Sequence, residues 1–94
     1  MKALWNGKPI AESDRTQEVH GYHYFPRDHV RMELLQKAPK TASDHECPHG
    51  VQFYDVVEGK HVAERAAWSY ERTGNGPMKK IDHWVSGWED VEVK

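Results

Sequence analysis

Cysteine is almost absent from this sequence, and so are long apolar runs and any excess of basic charge. One cysteine in 94 residues excludes an internal disulfide. No apolar run approaches the roughly 20 positions that a membrane-spanning helix needs, so we expect no membrane partner. The 13 lysines and arginines are outnumbered by 15 acidic residues and are spread along the chain, which argues against a nucleic-acid partner.

Targeting, repeat and cofactor signals are missing as well. The opening MKALWNGKPI lacks the apolar stretch of a secretory signal peptide, so we expect a cytoplasmic protein. No internal repeat, low-complexity linker or cofactor motif is present, and we expect no cofactor. A chain of this length predicts a single domain over residues 1–94 with one modest core.

Aromatic residues are plentiful, and short strand patterns alternate with turn signals. Four Trp, four Tyr and two Phe provide the apolar area for a folded core. Asn6-Gly7 predicts a hairpin turn, and Pro9 indicates that its second arm is an edge strand. Residues 51–57 carry apolar groups on both faces and predict a central strand. We expect it to pair antiparallel with residues 61–70 and to bury Phe53 and Trp68.

The rest of the chain predicts further strands joined by polar loops. Residues 16–25, TQEVHGYHYF, predict one extended stretch that Pro26 ends. Residues 29–35 show a period of two and predict a strand, although Met, Glu and Leu favour helix. Residues 36–50 predict a polar loop, and two strands over 78–88 and 90–94 close the chain. Together they predict a mainly β fold with little helix, an antiparallel sheet, sandwich or partial barrel of about six to seven short strands.

Four motifs occur in an order and spacing that resemble a known bacterial family. They are LWNGKPIAES at the start, YFPRDHVRM over 24–32, the Cys47-Pro48 turn before a Tyr54 strand, and AAWSY over 66–70. In this arrangement the chain resembles the domain of unknown function 427 family. The resemblance implies a small, mainly β bacterial domain and supplies no activity.

The sequence departs from the family pattern at two places near these motifs. Family members usually carry a lysine just before the glycine that follows Cys-Pro, whereas here His49 precedes Gly50. The proline that often follows Trp-Ser-Tyr is Glu71 in this chain. The missing lysine removes the one cation that the resemblance would place near the thiol.

A nucleotidyltransferase label is sometimes attached to that family, but the residues do not support it. Nucleotidyl transfer needs carboxylates that hold Mg²⁺ against phosphates, and usually a Gly/Ser-rich phosphate loop. No such loop is present. The nearest acidic groups, Glu12 with Asp14 and the pair Glu89-Asp90 with Glu92, lie at predicted strand ends.

A metal site is also disfavoured by the spacing of the histidines and the cysteine. His20 and His23 have opposite strand parity, so they converge only if Gly21 bulges the chain. Cys47 and His49 are closer in sequence than the usual zinc-ligand pairs, and Pro48 bends the chain between them. We therefore expect no bound metal.

The segment 43–50, SDHECPHG, allows either a reactive thiol or a structural turn. An imidazolium at His45 or His49 would favour the Cys47 thiolate, whereas Asp44 and Glu46 would oppose it. We expect mainly a turn, with Cys47 partly buried and the two carboxylates in solvent. An enzyme that uses Cys47 with His49 or His45 is the alternative.

The leading hypothesis is a small-ligand binding module. Aromatic side chains with polar tips, flanked by arginines, suit a small anionic or ring-bearing ligand. The predicted ligand-binding residues are Tyr24, Arg27, Arg31, Tyr54, Trp68 and Tyr70. We expect an arginine of this set to reach Tyr54 or Tyr70 beside a concave surface. A second alternative is a protein-interaction module that uses residues 8–12 as an edge strand.

Overall fold

The computed structural model describes residues 1–87 and 91–94, in nine strands, one α-helix and three 3₁₀ helices. The strands are β1 (Lys2–Trp5), β2 (Lys8–Glu12), β3 (Gln17–Val19), β4 (Tyr22–Tyr24), β5 (Leu35–Lys37), β6 (Val51–Glu58), β7 (His61–Tyr70), β8 (Val85–Gly87) and β9 (Glu92–Val93). The helices are α1 (Ala42–Glu46) and the 3₁₀ helices Arg27–His29, Met32–Leu34 and Pro77–Ile81.

The strands form three antiparallel sheets. Their orders are β2-β1-β9, β3-β4 and β5-β6-β7-β8. The predicted mainly β, antiparallel fold is confirmed. The described residues contain more strands than the six to seven expected, partly because residues 17–25 form two strands.

The first hairpin follows its turn signal. Asn6 and Gly7 both have positive φ, 51° and 75°, as a two-residue hairpin turn requires. β2 is an edge strand of its sheet, as Pro9 indicated. β1 buries Ala3 and Trp5.

The β6–β7 pair is the centre of the largest sheet and confirms the predicted pairing. Phe53 lies opposite Trp68, and Val51 lies opposite Tyr70. Trp68 is 3% exposed, whereas Phe53 is only half-buried. The register shifts after Tyr54, where Arg65 adopts a positive φ of 53° in a bulge.

Opposite partners in an antiparallel sheet share a face, so the register sorts β6 and β7 into two surfaces. Val51, Phe53, Trp68 and Tyr70 lie on one face, which packs with Tyr24 and Ile81. The other face carries Gln52, Tyr54, Ala67 and Ser69. Tyr54 there joins a separate core cluster that includes Trp5, Phe25 and Val85.

The extended stretch predicted over 16–25 is divided into two strands by a turn, whereas the strand predicted over 29–35 is wrong. Within 16–25, His20 and Gly21 both have positive φ and make the β3–β4 hairpin. Within 29–35, the amide of Leu34 donates to the carbonyl of Arg31, closing a 3₁₀ turn. Helix propensity prevails there over the period-two pattern, and Val30 forms only an isolated bridge with Ala11.

The polar loop predicted over 36–50 is also wrong. Lys37 continues β5, which pairs with β6, and Ala42–Glu46 is helical. The closing strand predicted from residue 78 is a 3₁₀ helix over Pro77–Ile81, favoured by Pro77 at its first turn. Strand β8 follows, and the parts of the last two predicted strands over residues 88–90 lie outside the described residues. No helix in the part of the chain that the structure describes is long and apolar enough to cross a membrane.

Candidate functional site

A concave surface lies where the β3–β4 hairpin meets the β6–β7 pair. Its volume is about 310 Å³. We name it the aromatic cleft, and it is lined by His20, Tyr22, Tyr24, Val51, Phe53, Trp68 and Tyr70.

The hairpin is held in place through its backbone. The amides and carbonyls of Phe25 and Val85 exchange hydrogen bonds of 2.8 and 3.0 Å, joining the chain after β4 to the edge strand β8. The Ser86 hydroxyl donates to the His23 carbonyl at 2.9 Å. This attachment brings the tyrosines of β4 into contact with Trp68. No local sequence signal predicts the attachment.

Trp68 is the ring around which the cleft is arranged. The Tyr22 ring meets it edge to face, with 5.0 Å between centroids and an interplanar angle of 85°. Tyr24 meets it at 6.3 Å and 84°. Phe53 lies 6.3 Å away at 49°. These tilted and edge-to-face contacts are the preferred geometries of aromatic pairs, so the rings support one another.

The polar groups of the cleft are the phenols of its tyrosines, the Trp68 indole and the His20 imidazole. The Trp68 Nε1–H donates to the Tyr24 hydroxyl at 3.2 Å. Burial raises the pKa of Tyr24 to about 12, and burial also raises the pKa of Tyr70. Both phenols therefore stay protonated at neutral pH. The seven lining residues include no lysine or arginine.

Arg27 lies on the opposite face of the sheet from the cleft. Its Nη1 donates to the Tyr54 hydroxyl at 3.3 Å, so an arginine of the predicted set reaches Tyr54, but this contact does not lie beside the cleft. Its Nη2 donates to Ser69 Oγ at 2.9 Å and to Glu71 Oε2 at 2.8 Å. Its Nε donates to the His83 carbonyl at 2.8 Å. Because this guanidinium donates to four acceptors within the protein, its role is to stabilise the fold. It is not oriented toward the cleft residues.

Glu71 was missed as a functional partner of this arginine. Its carboxylate also accepts a 2.9 Å hydrogen bond from the Tyr54 hydroxyl. It occupies the position where the family pattern often has proline, and it shares strand parity with Ser69. The replacement of that proline by an acidic residue was the sequence signal that could have revealed this partner of Arg27.

The six predicted ligand-binding residues thus divide among three places. Tyr24, Trp68 and Tyr70 line the aromatic cleft. Arg27 and Tyr54 belong to the hydrogen-bonded network on the opposite face. The Arg31 side chain is exposed, and its amide donates to the Ile10 carbonyl. A role in ligand binding stays a prediction for each of them.

Asp44 is not a solvated loop charge, which corrects the prediction for this segment. Its carboxylate accepts two 2.9 Å hydrogen bonds from the Arg65 guanidinium and is 4% exposed. It also caps α1 reciprocally with Thr41. The hydrogen bonds from Arg65 hold the pKa of Asp44 well below its usual range. The Thr41-x-x-Asp44 spacing is a capping-box signal that could have revealed the helix.

Arg65 connects this ion pair to the cleft. Its guanidinium carbon lies 4.0 Å from the centroid of the Phe53 ring. The bulge at Arg65 makes this position possible, because the Arg65 amide donates to Asp55 Oδ1 at 2.9 Å instead of to the ladder. The helix α1 is therefore fastened beside one wall of the cleft.

Cys47 ends α1 and is partly buried, as expected. It packs against the cluster that contains Trp68. The His49 ring lies 5.9 Å from the Tyr70 ring, edge to face. Among the described residues, no hydrogen bond joins the Cys47 sulfur to His45 or His49. Catalysis by this thiol stays a prediction.

Gly50 explains why the turn after Cys47 has its shape. Its φ is 65°, and a Cβ at this position would lie 2.8 Å from the Arg72 Cβ. The Glu71 amide donates to the Gly50 carbonyl, and the Arg72 amide to the His49 carbonyl. The turn is thus built against the chain that follows β7.

Within the described ranges, no group of three or more His, Cys, Asp or Glu side chains is placed to hold a metal ion. His23 lies near Glu18, with 3.5 Å between Nε2 and Oε2, while His20 is in the hairpin turn. Glu12 lies 3.7 Å from the Lys2 amine. Glu89 and Asp90, the other carboxylates considered, lie outside the described residues.

A serine–histidine pair that the sequence did not suggest has the wrong polarity for catalysis. His29 Nδ1 lies 2.7 Å from Ser13 Oγ, and His29 Nε2 lies 3.1 Å from Arg15 Nη2. A guanidinium only donates hydrogen bonds, so Nε2 is the acceptor and Nδ1 carries the proton. Nδ1 therefore donates to the serine and cannot remove its proton.

A family model described as a domain of unknown function (DUF427) matches residues 1–94. No curated protein matches the sequence.

Proposed function

The chain belongs to the DUF427 family, and we propose that it is a small-ligand binding module whose site is the aromatic cleft. The observation that carries the proposal is the concavity of about 310 Å³ lined by five aromatic side chains. Small-molecule sites are typically concave, mostly apolar and aromatic, with a few polar groups that orient the ligand.

The half-exposed rings define what the cleft offers to a ligand. Trp68 and Tyr24 are buried and form its floor, whereas Tyr22, Phe53 and Tyr70 keep part of their surface accessible. These rings favour an organic ligand that presents apolar groups. Recognition of an anion has less support, because Arg27 makes its hydrogen bonds on the other face.

Location and partners belong to the same proposal. A formal net charge of -2 and the single cysteine support a cytoplasmic protein that does not bind nucleic acid. The ligand-binding role requires neither a cofactor nor a second chain.

A fragment screen tests the proposal directly. Neutral and charged soluble fragments would be screened by ligand-observed and protein-observed NMR. We expect hits that shift the Trp68 indole resonance and raise the melting temperature, because a ligand of the native state stabilises it. Binding should be lost in Tyr22→Ala, which removes an accessible wall.

Val62→Ala is the matched control, since Val62 is 53% exposed and belongs to the same β6–β7 pair. Its fragment affinities should equal those of the wild type. Fragments that bind Tyr22→Ala and Phe53→Leu as tightly as the wild type, or a screen without any cleft ligand, would contradict the proposal.

A further inference from the structure

We propose that the aromatic cleft recognises an organic ammonium cation, such as a trimethylammonium group. This inference rests on the proposed ligand-binding function and names the class of ligand. It follows from the angles between the rings, the charges around them and the way the protein already uses Phe53.

The angles between the rings favour a compact cation over a flat neutral ring. Tyr22 and Tyr24 stand at 85° and 84° to Trp68. A flat ring fills a narrow slot between near-parallel walls, whereas walls at right angles enclose a wider space. Rings at right angles instead bound a space of similar width in several directions, which suits a roughly spherical quaternary ammonium group that contacts the negative ring faces.

The charges of the lining favour a cation as well. The faces of aromatic rings are negative, and the phenols of Tyr24 and Tyr70 are protonated at neutral pH. The seven lining residues contribute no lysine or arginine that would repel a cation. Indole and phenol are the ring types that bind cations best, and four of the five aromatic rings are of these types.

Phe53 shows that a ring of this cleft accepts a cation on its face. Arg65 lies 4.0 Å from the Phe53 centroid. Both terminal nitrogens of Arg65 bind the Asp44 carboxylate at 2.9 Å, so the positive charge beside the cleft is balanced. Because the Asp44 carboxylate offsets the charge of Arg65, the electrostatic potential in the cleft is set mainly by the aromatic rings.

The test compares two probes that share a shape and differ in charge. Choline and 3,3-dimethylbutan-1-ol would be titrated into the full chain by calorimetry and NMR. The titrations are run at constant ionic strength and pH 8, where unperturbed imidazoles are neutral. We expect choline to bind with a Kd about tenfold lower than that of the neutral alcohol.

Two variants of Tyr22 distinguish the contribution of an aromatic ring face to choline affinity from the contribution of apolar volume alone. Tyr22→Phe retains the ring and should keep the choline affinity within about twofold, whereas Tyr22→Leu should weaken it about fivefold. Tyr22 is 38% exposed, so both variants should fold. The binding of neutral fragments should change little between the two variants.

Two results would overturn the ammonium assignment. One is an equal affinity for both probes, and the other is no choline binding by a protein that binds neutral fragments in the cleft. Either result leaves the proposed ligand-binding function standing. That function fails only if the fragment screen finds no cleft ligand, so the two failures are distinguishable.

Discussion

Trp68 combines packing and hydrogen bonding in one residue. It is 3% exposed, contacts rings from β4 and β6, and donates its indole N–H to the Tyr24 hydroxyl. Its removal would leave a large cavity beneath the cleft. It would also remove the hydrogen bond that the buried Tyr24 hydroxyl accepts from the indole. Cavity formation and lost burial then act together.

Trp68→Ala should lower the free energy of unfolding by about 3–5 kcal/mol, measured by urea denaturation. Val62→Ala on the same strand is the control and should change it by no more than about 0.5 kcal/mol, because Val62 is exposed. A cost below about 1 kcal/mol for Trp68→Ala would contradict the placement of this ring in the core.

At the scale of elements, α1 depends on its end groups. A helix of five residues is too short to be stable by itself. The capping box with Thr41 and the ion pair with Arg65 provide the missing stabilisation. Both use the Asp44 carboxylate, so a single side chain connects helix, bulge and cleft wall.

Asp44→Asn should therefore destabilise the protein by about 1–2 kcal/mol at pH 7, a value reduced for the partial exposure of Arg65. Folding lowers the pKa of Asp44, so the carboxylate contributes fully above its unfolded pKa of about 3.9 and loses its contribution as the pH falls toward the folded value. The gap between wild type and Asp44→Asn should thus shrink by roughly 1 kcal/mol between pH 7 and pH 3.

Urea titrations at the two pH values measure this gap. Asp14→Asn is the control, because Asp14 is an exposed carboxylate whose replacement should change stability little at either pH. A gap for Asp44→Asn that stays constant or widens at pH 3 would show that the carboxylate is not stabilised by folding.

At the scale of the whole molecule, the Arg27 network joins distant segments. One guanidinium connects the turn after β4 to β6, to the end of β7 and to the backbone before β8. Its partners lie 27 to 56 residues away along the chain. A break in this network should lower the free energy of unfolding of the domain.

Arg27→Met should cost about 2–3 kcal/mol of unfolding free energy, since it leaves the Glu71 carboxylate without its cation. The double variant with Glu71→Gln should cost about 1 kcal/mol less than the sum of the single variants, because the two side chains share one interaction. Urea denaturation of all four proteins measures this coupling.

Ligand binding provides the functional readout for the same variants. Folded Arg27→Met should retain the cleft affinities, because Arg27 lies on the opposite face of the sheet. Strict additivity of the two substitutions would contradict the ion pair. A loss of fragment binding in folded Arg27→Met would contradict this expectation and would indicate that Arg27 takes part in ligand binding.

Residues whose environment is set by neighbours in sequence were predictable. Asn6-Gly7 and the alternation over 51–57 and 61–70 specify turns and strands locally, since side-chain period and positive φ act within a few residues. The antiparallel pairing that places Trp68 beside Phe53 follows from the same local order, because a short turn joins the two strands.

Other features were decided only by tertiary structure. The bulge at Arg65 depends on Asp44 and Asp55, which are 21 and 10 residues away. The assembly of Tyr22 and Tyr24 over Trp68 depends on the two backbone hydrogen bonds between Phe25 and Val85. The sequence by itself determined the first hairpin and the β6–β7 pair, because turn residues and side-chain period act within a few residues. Only the tertiary structure decided which aromatic and charged residues meet. The register of β6 and β7 places Trp68 and Tyr70 in the cleft and Tyr54, with its partner Arg27, on the opposite face, because neighbouring residues of a strand point to opposite faces.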